Sequence, residues 1–114
     1  MPWTVRMCKE FEAEFLRLPK PVQKSITSKV RFLEHKGPDA GRPHVDTLKG
    51  ARYGLKELRA AEAWRVAFVF DPRREAILLV AASKKGMNSG LFYDRLRKTA
   101  QDRYERHLED IAED

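Results

Sequence analysis

Between residues 55 and 82 three apolar segments follow one another with no room for a helix between them. They cover residues 55–60, 64–70 and 76–82, and "DPRRE" at 71–75 joins the last two, with Pro72 suited to the second position of a turn. A parallel crossover needs a dozen or more residues, so short connections dictate antiparallel pairing and a meander. Strand alternation then sorts the side chains. In "LKELR" Leu55, Glu57 and Arg59 share one side, and Lys56 and Leu58 the other. In "WRVAFVF" Arg65, Ala67 and Val69 lie opposite Trp64, Val66, Phe68 and Phe70.

The flanking segments read as helices. Phe11, Phe15 and Leu18 fall at spacings of four and three, the helical period. Pro19 and Pro21 interrupt it, because proline cannot donate the helical hydrogen bond. Val22, Ile26, Val30 and Leu33 resume the period until Gly37-Pro38. This predicts a helical hairpin or one kinked helix. "WTV" at 3–5 reads as a short edge strand, and residues 37–54 as a loop. After Gly90 a charged segment carrying Leu91, Leu96, Tyr104, Leu108 and Ile111 predicts a final helix. The fold class is α+β: an N-terminal helical hairpin packed on one face of a twisted antiparallel sheet of three to four strands, with a C-terminal helix. A chain of 114 residues suits one domain, spanning 1–114.

Such a fold leaves a sheet face to explain. The large residues of 64–70 cover the helices, which puts Arg65 on the other face. Arg59 projects there from the next strand, and Lys84 and Lys85 follow the last one. The formal charge of +6 agrees with an anionic partner, although solubility alone accounts for it as well. A guanidinium matches phosphate oxygens, and such charge also stabilises a phosphodiester under attack. The plainer account is surface ion pairing, Arg59 with Glu57 or Glu62 and Arg65 with Asp71 or Glu75. Trp64, Phe68 and Phe70 read as core, and Tyr93 equally as a packed aromatic at a helix start.

Other chemistry finds little support. Cys8 is the sole cysteine, so no internal disulfide forms. His35, His44 and His107 lack the spacing of a zinc site, which leaves no metal or cofactor expected. "KKGMNSG" is not a phosphate loop. The N-terminus has no signal-peptide character, and "AILLVAA" at 76–82 is far short of the roughly 20 residues of a membrane span, so a cytoplasmic protein without membrane contact is expected.

The ordered set "DTLKG", "LKELR", "WRVAFVFD", "AILLVAASKKG" and "FYDRL" resembles the RelE/ParE superfamily of bacterial toxins, closest to its HigB-like, phage Gp49-like branch. The resemblance implies the toxin of a type II toxin–antitoxin pair, neutralised by a cognate antitoxin of helix-turn-helix type. It further implies metal-independent cleavage of mRNA on the ribosome. There the ribose 2′-OH attacks the adjacent phosphate. By position it assigns Arg65, Lys85 and Tyr93 to catalysis and Lys56, Arg59 and Lys84 to RNA binding. Glu57 and Asp94 are the carboxylates available as general base. Two alternatives remain: a ParE-like gyrase inhibitor, and a non-catalytic relative that only docks to RNA or the ribosome.

Overall fold

In the computed structural model, which describes residues 2–113, the meander lies at the centre of a five-stranded sheet. Its strands are β1 (Val5–Met7), β2 (Val45–Thr47), β3 (Lys56–Arg59), β4 (Trp64–Phe70) and β5 (Ala76–Ser83), in the spatial order β1-β5-β4-β3-β2. β3, β4 and β5 pair antiparallel as the short connections require. Two short strands flank the meander: β2 is an addition, and β1 is the edge strand read at 3–5, displaced to Val5–Met7. β2 lies within the segment read as a loop and pairs antiparallel with β3, Asp46 facing Glu57. β1 pairs parallel with β5, which makes the sheet mixed rather than wholly antiparallel.

The helices are α1 (Lys9–Phe15), α2 (Lys20–Lys36) and α3 (Ser89–Ala112). The proline pair does break the N-terminal pattern, and Pro21 sits in the first turn of α2, where no donor is needed. α2 buries Val22, Ile26 and Leu33 and stops at Gly37. That glycine has φ +56, and a Cβ there would lie 2.2 Å from Trp3 Nε1. Trp3 in turn donates its backbone N–H to Glu34 O and packs edge-on against Phe70. Phe70 shares a face with Phe68 and Val66, so α2 covers that side of the sheet.

α3 covers the other side, and this corrects the expectation of an open face. Asn88 caps its N-terminus by accepting from Leu91 N at 3.1 Å. Phe92, Leu96, Ala100 and Tyr104, four residues apart, form its buried stripe, whereas Leu91 is exposed. α3 packs on β5 and β4, and Phe92 and Leu96 share the lining of one apolar hollow with Val80 and Ala82 of β5. Small side chains there let the helix settle close, and Ala67 and Val69 of β4 become buried beneath it. β4 is therefore apolar on both faces over residues 66–69, as a strand sandwiched between helices must be. No helix among the described residues is long and apolar enough to cross a membrane.

Candidate functional site

α3 crosses only part of the Glu57 face, and the uncovered end of that face carries the cations. Arg59 and Arg65 stand directly opposite each other across the β3–β4 ladder. Like charges in that position destabilise a sheet. Glu57, two residues before Arg59 on the same side, answers both. Its Oε1 lies 3.6 Å from Arg59 Nε and 3.5 Å from Arg65 Nε. The carboxylate side chain is only 7% exposed, and Arg65 only 16%. Both separations exceed hydrogen-bond length, and neither Nε has a hydrogen-bond partner although both are buried. Arg65 Nη1 is better satisfied, donating to Trp64 O at 3.0 Å. Arg59 Nη2 lies 3.6 Å from Asp46 Oδ2 on β2, an oxygen that also accepts from Arg42 Nε at 3.1 Å.

α3 supplies the remaining wall. Tyr93, one turn into the helix, donates its hydroxyl to Glu57 Oε1 at 3.0 Å. Burial raises the pKa of this phenol, and the Glu57 charge raises it further. The hydroxyl therefore stays protonated near neutral pH and serves as a donor. Lys84 Nζ lies 5.1 Å from the Tyr93 ring centroid, a cation–π arrangement that brings the strand-end lysine to the same place. Below Tyr93 a cavity of about 210 Å³ is lined by Asp46, Thr47, Lys49, Glu57 and Arg97.

The residues singled out by sequence thus divide. Arg59, Arg65, Tyr93 and Lys84 converge. Lys85 is exposed in the turn between β5 and α3 and pairs with no acid among the described residues. Lys56 is separated from them: it pairs in register with Phe68, so it belongs to the α2 side of the sheet. This is the side on which the alternation of its own strand puts it. Of the two carboxylates considered, Glu57 is at the centre, while Asp94 is exposed and paired with Arg97. The ion pairs expected of Arg65 with Asp71 or Glu75 do not form. Asp71 instead holds His107, and Glu75 holds Arg6. Nothing in the sequence singles out Asp46 or Arg42. Only the β2–β3 pairing brings them in, and "VDT" carries no strand signal of its own. Among the described residues no group of three His, Cys, Asp or Glu side chains is placed to hold a metal.

The chain matches the family described as phage-derived protein Gp49-like over residues 13–105. It is 38% identical over 101 residues to the candidate toxin HigB3 of Mycobacterium tuberculosis, covering 87% of this chain and 88% of that one. Its fold is similar to that of a substituted E. coli toxin RelE in the free state, with TM-score 0.63 at 10% identity, covering 90% of this chain and 98% of that one. It is also similar to the archaeal RelE–RelB complex from Pyrococcus horikoshii, with TM-score 0.56 at 19% identity, over 75% of this chain and 99% of that one.

Proposed function

The chain belongs to the Gp49-like family of RelE/HigB-type toxins, and on that footing we propose that it is an endoribonuclease that cuts mRNA on the translating ribosome and is held in check by a cognate antitoxin. The observation that carries this reading is the arginine pair. Two guanidinium groups meet one buried carboxylate at distances too long for hydrogen bonds, and each keeps a buried Nε unpartnered. A phosphodiester is the ligand such a pair fits, because it offers two anionic oxygens at the shorter range of charge-assisted bonds.

In the proposed reaction the phosphate takes the place of Glu57 as partner of Arg65 and Arg59. The ribose 2′-oxygen bonds to phosphorus, the bond from phosphorus to the 5′-oxygen breaks, and a cyclic phosphate and a 5′-OH result. Glu57, released from the arginines, accepts the 2′-OH proton. Tyr93, protonated and adjacent, orients that carboxylate. Lys84 and Lys85 close the outer side and neutralise charge growing on the leaving oxygen, which takes a proton from solvent water to become the 5′-OH; the proton on Glu57 returns to solvent. Two positive charges already in place at the phosphate supply the electrostatic part of catalysis.

The test is Arg65→Ala. Growth after induction should be restored, and the cut sites in cellular mRNA, with their 5′-OH ends, should vanish. Loss of one such donor typically costs ~10²–10³ in rate. A thermal melt of the purified variant checks that it is folded. If a folded Arg65→Ala protein stays fully toxic, phosphate contact is the wrong role. If the wild type arrests growth without cutting mRNA, a gyrase inhibitor or a docking protein takes its place.

A further inference from the structure

The largest group of lysines and arginines without an ion pair among the described residues lies on α2, on the opposite side of the sheet from the arginine pair. Helix α2 carries Lys20, Lys24, Lys29, Arg31, His35 and Lys36 against a single acid, Glu34. Lys20, Lys24, Arg31 and His35 are all exposed, at spacings of four, seven and four residues. They therefore form one stripe, about 22 Å long at the helical rise. None of the four forms an ion pair among the described residues, whereas α3 directs Arg97, Lys98, Arg103 and Arg106 to carboxylates. Between Lys24 and Arg31 the stripe exposes the hydroxyls of Thr27 and Ser28. A groove of about 320 Å³ runs beside it, floored by Phe15 and Gln23. Beyond His35 the stripe opens into a hollow of about 620 Å³ bearing Lys36 and Arg42, with Asp39 as its one acid.

We infer that the outer face of α2 is a second RNA surface, which grips the backbone of a double-stranded segment. The stripe follows a single helix of 17 residues. Its exposed groups are cations and hydroxyls, the two side-chain classes that contact phosphate and sugar. Apart from the imidazole of His35 at one end, the stripe exposes no aromatic ring on which unpaired bases could stack in succession, which is how single strands are held. Duplex RNA is recognised by shape and backbone, as such a surface allows. The proposal goes beyond the nuclease reading, since the stripe lies across the sheet from the cleavage site and needs no reaction there.

The probe is a blunt RNA duplex of about 16 base pairs, titrated over a range of salt with protein that is otherwise intact. In the variant Lys20→Gln/Lys24→Gln/Arg31→Gln, affinity should fall at least about tenfold and the log–log salt slope should shrink by about 3, one per lost phosphate contact. Glutamine is a good helix former, so these exposed changes leave α2 intact, and a thermal melt confirms it. A control removes equal charge from paired cations, Arg6→Gln/Lys9→Gln/Lys98→Gln. It should bind the duplex within about twofold of wild type, since charges already neutralised by neighbours contribute little. Arg59→Gln/Arg65→Gln protein should also keep its duplex affinity, whatever becomes of its toxicity. That arm separates failure of this proposal from failure of the nuclease reading. Unchanged duplex binding in the stripe variant overturns the proposal. So does an equal loss in the control, which would reduce the effect to net charge.

Discussion

Glu57 sits where two like charges face each other across a strand pair, and its removal exposes that conflict. Glu57→Gln keeps the size of the side chain and the contact with Tyr93. It withdraws the charge that Arg59 and Arg65 share. Stability should fall by about 1–3 kcal/mol, the cost of leaving buried polar groups unsatisfied, read as a lower denaturant midpoint with unchanged m. Toxicity should fall with it, because the arginines lose their alignment. A variant as stable and as toxic as wild type would show that Glu57 neither aligns them nor takes a proton. Strand alternation alone places Glu57, Arg59 and Arg65 on one side, so this part of the site is legible in "KELR" and "WRV". What the alternation does not reveal is how deeply Glu57 is buried. That depends on Tyr93, 36 residues further along the chain, and on the helix that carries it.

At the scale of elements, β4 and the helical breaks can be read from local pattern, because each rests on its own apolar residues and prolines. β2 and the placement of α3 cannot. β2 has three residues and becomes a strand only because β3 offers it an edge. α3 presents an amphipathic stripe that either sheet face could receive. Small side chains at Ala67 and Ala82 leave room on one of them, a cue visible only once the register is known. α3 is also tied to α1. Arg103 donates to both oxygens of Glu14 at 2.8 and 2.7 Å and to Leu79 O at 2.8 Å. Arg106 reaches Glu10 at 2.8 Å, and Lys9 reaches Asp110 at 3.5 Å. Arg103 is only 12% exposed. Arg103→Ala should therefore destabilise by about 2 kcal/mol, less than the 3–5 of a fully buried pair because Glu14 remains in water. Amide exchange in the second half of α3 should quicken while the β4 amides stay slow. Uniform acceleration across the sheet would mean that α3 and the core open as one unit.

Across the whole molecule, carboxylates act as anchors between elements, and this sets the response to acid. Glu14 is held below its ordinary pKa by the hydrogen bonds from Arg103. Burial pushes Asp71 upward, but hydrogen bonds from His107 and from the backbone of Glu75 and Arg73 outweigh it, so its pKa too is lowered. Asp71 Oδ1 accepts from Arg73 N and Glu75 N at 3.0 and 3.1 Å, and Oδ2 lies 3.0 Å from His107 Nε2 of α3. One buried side chain thus shapes the β4–β5 turn and docks the C-terminal helix. A carboxylate with a depressed folded pKa contributes stability that is fully present above its unfolded value. That contribution is lost as pH falls through the folded one. The melting temperature should hold between about pH 7 and 5 and then drop below roughly pH 4, where unfolded carboxylates begin to bind protons ahead of folded ones. Salt separates the anchors. At 1 M the screening length is about 3 Å, so the exposed end of the Glu14 pair weakens, whereas the Asp71 side chain, with 0% exposure, is screened little. Asp71→Asn should melt lower at pH 7 and lose less on acidification, in low and high salt alike. If it keeps the full acid slope of the wild type, the turn and the C-terminal helix are held by something other than this charge.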